Sequence, residues 1–211
     1  MKITVLGATG GVGQHLLTHA LSDGHQVTAA VRNPAKVATR HAGLTVVRTD
    51  ALDADSVKSA IAGADAVVSG IGAAGRRDPL KPASTSARAV VEAMTATEVR
   101  RLVVVSAAPL NRSGAGQTWL ARRVFSPLLW AVLDDLYRDL ERMEQVLRDS
   151  GLDWTSVRPP KLTDNPGRGH YRHTVETGPP GNEIARADVA RAMLDFLGEP
   201  ATIGHAVGVS A

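Results

Sequence analysis

A glycine-rich segment near the start of the chain constrains the fold more than any other part of the sequence: Gly7-Ala8-Thr9-Gly10-Gly11-Val12-Gly13. Residues 3–6 before it are apolar and partly β-branched, as a strand buried on both faces requires, and the residues after it have helical spacing. Glycine gives the backbone freedom to bend and lets the helix pack closely on the strand. The segment therefore predicts a strand, a tight turn and a helix.

Such a turn is also suited to bind phosphate, because the following helix directs unpaired N–H groups and its positive dipole end towards the turn. The spacing is G-x-x-G-x-x-G, whereas the commonest dinucleotide fingerprint is G-x-G-x-x-G. The alternative is that the glycines only make a tight turn. We predict that a nucleotide is bound by Gly7, Thr9, Gly10, Gly11, Val12 and Gly13.

The rest of the chain alternates short apolar strands with helical segments. We predict strands over residues 26–31, 44–47, 65–69 and 101–106, and helices over residues 11–21, 53–62 and 82–97. Strands separated by helices form a parallel sheet with helices on both faces. Because no internal repeat or linker divides the 211 residues, we predict a single α/β domain over 1–211, with a Rossmann-like doubly wound parallel sheet.

Composition excludes several kinds of site. Without cysteine, the chain has no disulfide framework, no thiolate metal ligand and no cysteine nucleophile. The net charge of +3 comes from 24 basic and 21 acidic residues spread along the chain, which does not predict nucleic-acid binding. His170 and His173 have no fitting partner set, so we predict no metal site. With no long apolar run and no signal-peptide pattern, we expect no membrane partner and a cytoplasmic protein.

The end of the second predicted strand indicates which dinucleotide binds. An NAD site of this kind usually places Asp or Glu about 20 residues after the glycines, whereas an NADP site uses Arg for the 2′-phosphate. Here the position is Arg32, and no acidic residue occurs between Thr28 and Arg40. We therefore predict NADPH or NADP as the cofactor rather than NAD; the alternative is that this basic loop only faces solvent.

Several motifs together resemble the atypical short-chain dehydrogenase/reductases. Besides the glycine segment they are Val31-Arg32-Asn33-Pro34, Thr49-Asp50-Ala51-Leu52, Val104-Val105-Ser106-Ala107, the segment from Ser150-Gly151-Leu152 to Arg158-Pro159-Pro160, and Ile184-Ala185-Arg186-Ala187-Asp188-Val189-Ala190. Within that group the chain is similar to the NAD(P)H-binding proteins that include the NADPH-dependent flavin reductases of the biliverdin reductase B type. The resemblance covers nearly the whole chain.

The resemblance implies further cofactor-binding residues: Asp50, Ala51, Gly70, Ile71, Gly72, Ser106 and Pro159. Asp50 and Ala51 would contact the adenine, although Asp50 could equally cap a helix or close a turn. The glycines after the fourth strand would pass close to the ribose and pyrophosphate, or form an ordinary loop exit. Ser106, at the carboxyl end of the fifth strand, would lie beside the nicotinamide, or merely end the strand.

The catalytic pattern departs from that of the commoner short-chain dehydrogenases. They use a Tyr-x-x-x-Lys pair, whereas Tyr137 here is followed four residues later by Glu141, which would disfavour a phenolate. The flavin reductases have a second hydroxyl after the strand serine, where this chain has Ala107, and a histidine after the paired prolines, where it has Lys161. Our candidate catalytic residues are Ser106 and Lys161. Lys161 would donate a proton or hold an anionic group, or it simply faces solvent.

Two segments, about 107–135 and 159–183, are expected to form the substrate pocket. The first contains an apolar run over residues 124–133 with Phe125 and Trp130, which could grip a flat substrate or belong to the core or a dimer face. The second is rich in Gly, Pro and His and indicates a flap with a short extended piece at 171–175.

These residues predict an NADPH-dependent reductase that passes hydride to a flat conjugated acceptor, such as a flavin or a quinone-like compound. Such an acceptor can take its proton from solvent, so the missing Tyr-Lys pair is not required. A non-catalytic NADP(H)-binding redox sensor is an alternative. An epimerase- or dehydratase-like activity is a third, weakened by the missing pair and the short carboxyl-terminal region. We expect a small-molecule acceptor as partner, and a monomer or a homodimer.

Overall fold

The computed structural model describes residues 1–72, 78–110 and 126–211; for Pro109 and residues 126–132 it describes the backbone alone. The described strands are β1 (Lys2–Leu6), β2 (Gln26–Val31), β3 (Leu44–Arg48), β4 (Ala66–Ser69), β5 (Arg101–Val105), β6 (Asp153–Arg158), β7 (Lys161–Thr163), β8 (Arg172–Val175), β9 (Glu183–Ala185) and β10 (His205–Ser210). The helices are α1 (Gly11–Ser22), α2 (Ala54–Ile61), α3 (Pro82–Thr97), α4 (Ser126–Arg148) and α5 (Arg186–Asp195).

Eight of these strands form one sheet in the order β3-β2-β1-β4-β5-β6-β10-β8, and β7 pairs with β9 in a separate small sheet. Neighbouring strands of the large sheet are parallel, except that β8 runs antiparallel to β10 at the edge. The predicted doubly wound parallel sheet is confirmed. The order reverses between β1 and β4, and open sheets of this kind bind ligands at such a point, beyond the carboxyl ends of the strands.

The helices cover the sheet on both faces. On one face α1 packs against α5, and on the other α3 packs between α2 and α4. Alternate side chains of β1 serve the two layers, since Ile3 and Val5 belong to the core under α1 and α5 while Leu6 belongs to the core under α2 and α3. This double burial explains why β1, β4 and β5 are almost uniformly apolar in sequence.

Turn glycines, capping side chains and a proline explain where the predicted helices begin and end. The helix α1 ends before Gly24, which has a φ of +77° that suits glycine. The helix α2 is capped by Asp53, whose carboxylate accepts from the N–H of Asp55. Pro82 is the first residue of α3, as predicted, but Lys81 before it provides no side-chain cap. The cap comes instead from α4, whose buried Asp139 accepts from the N–H groups of Ala83 and Ser84 at 3.0 and 3.1 Å.

The carboxyl-terminal half contains features that the sequence patterns did not predict. The strands β6, β9 and β10 and the helix α5 complete the sheet and its second layer. The predicted extended piece at 171–175 is β8, which pairs with β10 at the edge of the sheet. The helix α4 leaves helical geometry at Leu133, where φ is −118° and ψ is 24°. Residues 111–125, which include Phe125, lie outside the described residues, and Trp130 lies where only the backbone is described.

Candidate functional site

A cleft of about 770 Å³ opens where the strand order reverses, at the carboxyl ends of β1, β2, β3, β4, β5 and β6. Among the predicted cofactor-binding residues, its lining includes Gly7, Thr9, Gly10, Gly11, Val12, Arg32, Asp50, Ala51, Gly70, Ile71, Gly72, Ser106 and Pro159. Gly13 lies beneath the turn. The cleft volume falls within the range of small-molecule and cofactor sites, roughly 300–1,000 Å³.

The β1–α1 turn requires glycine at the predicted places. Gly7 has a φ of +72°, and its carbonyl accepts from the N–H of Gly10 at 2.9 Å. A Cβ added at Gly13 would lie 2.1 Å from the carbonyl oxygen of Gly7, so any side chain there would push the helix off the strand. A Cβ at Gly7 would meet the backbone of Gly70 at 3.0 Å. Glycine therefore lets β1, α1 and the end of β4 approach each other closely.

The amino end of α1 is open to an anion. Gly10 precedes the helix without a side-chain cap, and the first turn contains no acidic residue. Its N–H groups and positive dipole end therefore face the cleft without a competing carboxylate from the helix itself. A glycine-walled turn that offers backbone donors is the chemistry that a pyrophosphate needs, so this end of the cleft fits a dinucleotide.

Arg32 lies at the end of β2, exposed and lining the cleft. Within the described part of the chain, no side chain or carbonyl pairs with its guanidinium. Arg40, by contrast, donates to the carbonyls of Val37 and Thr39 at 2.6 and 3.0 Å, so its guanidinium is already bound within its own loop. Of Arg32 and Arg40, Arg32 is therefore the one whose guanidinium is available to a ligand in the cleft.

Asp50 closes a turn, one of the two roles that the sequence left open, and it also lines the cleft. One of its carboxylate oxygens accepts from the N–H of Leu52 at 3.1 Å, and its own N–H donates to Ser56, so it closes the turn after β3. Asp50 and Ala51 line the cleft, as Arg32 does. They follow β3, which pairs with β2, the strand that precedes Arg32. Turn formation and a contact with a ligand are therefore compatible.

Ser106 ends β5 and is buried, 8% exposed, at the wall of the cleft. Its hydroxyl donates to the carboxylate of Glu144 from α4 at 2.8 Å, and its N–H donates to the carbonyl of Val157. Glu144 also accepts from Ser156 at 2.9 Å and forms two hydrogen bonds with the guanidinium of Arg158. Ser106 is therefore one member of a buried polar network that joins β5, β6 and α4.

Glu144 is ionised within that network. Burial acts to raise the pKa of Glu144, but the hydrogen bonds and positive charge of Arg158, with the hydrogen bonds from Ser106 and Ser156, outweigh it and hold the pKa below its ordinary value. An ionised carboxylate only accepts hydrogen bonds. The direction of the Ser106 hydrogen bond is thereby fixed.

Much of the cleft lining is apolar, although Asp78 also belongs to it. The apolar side chains near the ends of β4, β5 and β6 come from the loop after β4, the start of α3, the middle of α4 and the segment after β6: Ile71, Leu80, Pro82, Ala107, Leu136, Leu140, Pro159, Pro160 and Leu162. Leu80 is 58% exposed, which is unusual for a leucine in this protein. Of the two predicted substrate segments, the described cleft includes Ala107 from the first and residues 159–162, without Lys161, from the second.

The structure does not bring Lys161 into the cleft lining. Its side chain is 75% exposed, and its ammonium lies 3.8 Å from Glu183 on the neighbouring strand of the small sheet. A role for Lys161 in the chemistry stays a prediction. Tyr137 is a residue of α4 and is buried in the core. Burial raises its pKa, whereas a proton-shuttling tyrosine requires a lowered pKa.

Arg186 is a cleft residue that the sequence patterns did not single out. It is the first residue of α5, and its side chain lies across Gly11, where an added Cβ would be 2.6 Å from the Arg186 Cδ. Its guanidinium pairs with Asp164 at 2.6 Å, and the Asp164 side chain is 88% exposed. A cation thus lies beside the positive end of α1. In the sequence, Arg186 stood out only as a member of the motif from Ile184 to Ala190, one of those that carry the family resemblance.

The described residues 1–72, 78–110 and 126–211 contain no group of three or more His, Asp or Glu side chains that could hold a metal ion. Within the same ranges, no helix combines the length and the apolar character needed to cross a membrane.

The fold and the glycine-walled cleft define a Rossmann-type dinucleotide-binding protein. Comparison with known families gives the same answer: the chain belongs to the NAD(P)H-binding family, whose model matches residues 7–200. It is 30% identical over 207 residues to YwnB of Bacillus subtilis, an uncharacterised protein, covering 95% of this chain and 93% of that one. It is also 30% identical over 163 residues to (4-alkanoyl-5-oxo-2,5-dihydrofuran-3-yl)methyl phosphate reductase of Streptomyces griseus, covering 77% of this chain and 49% of the reductase.

Solved structures share the fold over the whole chain. The oxidoreductase ylbE of Lactococcus lactis has a TM-score of 0.82 at 23% identity, covering 100% of this chain and 90% of that one. A short-chain dehydrogenase/reductase of Veillonella parvula, in complex with NADP, has a TM-score of 0.79 at 21% identity, covering 100% and 94%. A candidate NADH-flavin reductase of Streptococcus pneumoniae has a TM-score of 0.80 at 24% identity, covering 100% and 99%.

Proposed function

We propose that the protein is an NADPH-dependent reductase that transfers hydride to a flat conjugated acceptor, such as a flavin or a quinone-like compound. The observation that carries the proposal is a single cleft that joins the open glycine turn and Arg32 at one end to Ser106 and an apolar wall at the other. Membership of the NAD(P)H-binding family supports the cofactor class, and the named Streptomyces reductase supports the reaction class. The Streptococcus flavin reductase candidate supports the acceptor class.

Each region of the cleft has a defined task in binding. The backbone N–H groups of Gly11 and Val12, in the first turn of α1, donate to the pyrophosphate, and Arg186 adds a positive charge across Gly11. Arg32 pairs with the 2′-phosphate, for which a guanidinium is suited because it donates two parallel hydrogen bonds. The free carboxylate oxygen of Asp50 accepts from the exocyclic amine of adenine.

The apolar end positions the acceptor. When bound, the reduced nicotinamide supplies the hydride. Leu140 and Leu162 line the same cleft as Ser106 and offer apolar side chains against which a planar ring can pack. Because the sequence contains no Tyr-x-x-x-Lys pair and Tyr137 stays protonated, the protein mainly orients the two rings. Acceptors that stabilise added electrons and take a proton from water suit such a site.

The test is oxidation of NADPH, followed by its absorbance, with FMN, FAD and small quinones as acceptors. We expect acceptor-dependent oxidation with at least one of them. We also expect Ser106→Ala to lower the rate more than Lys161→Ala, because Ser106 lines the cleft and Lys161 does not.

The redox-sensor alternative gives a different result in the same assay. A sensor would bind NADPH and NADP⁺ with clearly different affinities and oxidise NADPH with none of the acceptors. That combination would replace the proposed reaction.

A further inference from the structure

Glu144 lies on the side of Ser106 that faces away from the cleft. It is 2% exposed, and one of its carboxylate oxygens accepts from the hydroxyls of both Ser106 and Ser156, at 2.8 and 2.9 Å, as well as from the Arg158 Nε at 2.9 Å. Its other oxygen accepts from the same guanidinium. The paired charge keeps the carboxylate ionised and fixed in position.

This arrangement leaves Ser106 with one kind of interaction to offer. A serine hydroxyl has one hydrogen and two lone pairs, and an ionised carboxylate can only accept. The Ser106 hydrogen therefore points at Glu144, and the lone pairs of its oxygen are what the cleft meets. Without Glu144, the hydroxyl would rotate freely and present either its hydrogen or a lone pair.

We infer that Glu144 is a positioning residue that makes Ser106 a hydrogen-bond acceptor for the carboxamide N–H of the bound nicotinamide. The inference rests on the proposed function for the identity of the ligand. A carboxamide held through its N–H has one orientation, which fixes the face of the nicotinamide ring turned towards the acceptor. Ser106 in this state does not protonate the product, so the acceptor takes its proton from water.

The burial pattern separates this role from a purely structural one. Ser156 donates to the same oxygen of Glu144, but it is fully buried within β6 and does not line the cleft. If the network only joined α4 to the sheet, Ser106 and Ser156 would be equivalent. The inferred role makes them different, because Ser106 alone of the two serines meets the ligand.

The experiment compares two ligands that differ in the nicotinamide. Dissociation constants are measured by calorimetry for NADPH and for 2′-phospho-ADP-ribose, which lacks the nicotinamide ring. The ratio of the two constants isolates the nicotinamide contact, because a loss of folded protein changes both constants alike. Ser106→Ala and Glu144→Leu are the test variants, and Ser156→Ala is the matched control.

We expect Ser106→Ala and Glu144→Leu each to weaken NADPH relative to 2′-phospho-ADP-ribose by about 3- to 10-fold, the size of one hydrogen bond. Leucine is used because a glutamine oxygen would still accept from Ser106. Ser156→Ala should leave the ratio unchanged. If Glu144 acts through Ser106, Glu144→Leu should have no further effect on the ratio in the Ser106→Ala background, since the two effects then share one cause. Should Glu144→Leu alone fail to fold, the Glu144→Leu/Arg158→Met pair removes both buried charges together and should give the same change of ratio.

Two results would overturn the inference: a ratio that Glu144→Leu leaves unchanged, or an effect that adds in full to that of Ser106→Ala. The measurement needs no acceptor and no turnover. If the ratio of dissociation constants does not change as expected, the result therefore counts against the role of Glu144 alone. A wild type that binds NADPH but never oxidises it counts against the proposed reaction.

Discussion

At the scale of single residues, the proposed function assigns to Arg32 the choice between NADPH and NADH. We expect Arg32→Ala to weaken NADPH by roughly 10- to 150-fold, since hydrogen bonds to charged groups contribute about 1.5–3 kcal/mol. NADH, which has no 2′-phosphate, should bind almost unchanged. Both ligands are titrated at fixed ionic strength, because salt screens such contacts.

Arg40→Ala is the matched control for Arg32. The Arg40 guanidinium already bonds to two backbone carbonyls of its own loop, so its loss should change the NADPH affinity little. Equal losses of NADPH and NADH in Arg32→Ala would mean that Arg32 supports the loop rather than binding the phosphate.

Arg186 provides a second prediction about charge. Arg186→Met keeps a long unbranched side chain over Gly11 but removes the cation, and should weaken NADPH and NADH by the same factor, about 3- to 30-fold. Adenosine 2′-monophosphate, which has no phosphate on its 5′ side, should be unaffected. Asp164→Ala, which removes the protein partner of Arg186, should not weaken the dinucleotides. A loss for the monophosphate equal to that for NADPH would contradict a pyrophosphate contact.

Glu144 gives the protein an acid limit. Its folded pKa lies below the ordinary value of 4.5, so its ionised form stabilises the fold fully above about pH 4.5, and this contribution is lost as the pH falls through the folded pKa. We expect the free energy of unfolding of the wild type to fall more steeply below pH 4.5 than that of the Glu144→Gln/Arg158→Met variant. Urea unfolding at several pH values measures this, and parallel curves would contradict it.

At the scale of elements, α3 depends on a cap from another helix. Asp139→Ala would leave the N–H groups of Ala83 and Ser84 without their buried acceptor and should lower the free energy of unfolding by about 1–3 kcal/mol. Asp134→Ala on the same helix removes an exposed ion pair with Arg138 and should lower the free energy of unfolding much less, because solvent screens such a pair. Urea denaturation of both variants tests the difference. Equal losses would mean that Asp139 is not the cap.

The elements also explain how far the sequence could be interpreted. The first five strands and first three helices were predictable because each strand is a short, largely apolar run, and both faces of the sheet are covered. The strand β6 escaped because Thr155 and Ser156 interrupt its apolar pattern, although both are buried and hydrogen-bonded. The partners that satisfy them lie on other elements, and a local pattern does not contain them.

The same limit applies to the candidate site. The predicted cleft residues belong to short motifs at the ends of strands, where the fold itself brings them together. Glu144 is 38 positions from Ser106, and Arg186 is distant in sequence from the glycine it covers, so their roles become visible only in three dimensions. Polar partners set by tertiary packing are therefore the part of such a site that pattern analysis misses.

At the scale of the whole molecule, a chain of polar contacts joins the first helix, the last helix and the edge of the sheet. Arg191 of α5 pairs with Asp23 after α1 at 2.6 Å and with Asp195 at 2.8 Å. The hydroxyl of Tyr171, just before β8, donates to Asp195 at 2.9 Å. The edge strand β8 pairs with β10 alone. These contacts hold β8 against the layer of α1 and α5.

This connection predicts an alkaline limit to stability. Burial, and then the hydrogen bond to Asp195, raise the pKa of Tyr171 above its ordinary value of 10.0. A phenol whose pKa is raised in the fold contributes stability that is complete below pH 10 and is lost as the pH rises further, because the unfolded chain releases its proton first. Below pH 10, Tyr171→Phe should lower the free energy of unfolding by about 0.5–1.5 kcal/mol, the value of one hydrogen bond. Above pH 10 the wild type should lose this advantage, while a fixed difference between the two proteins from pH 8 to 11 would show that the Tyr171 contact does not hold the edge.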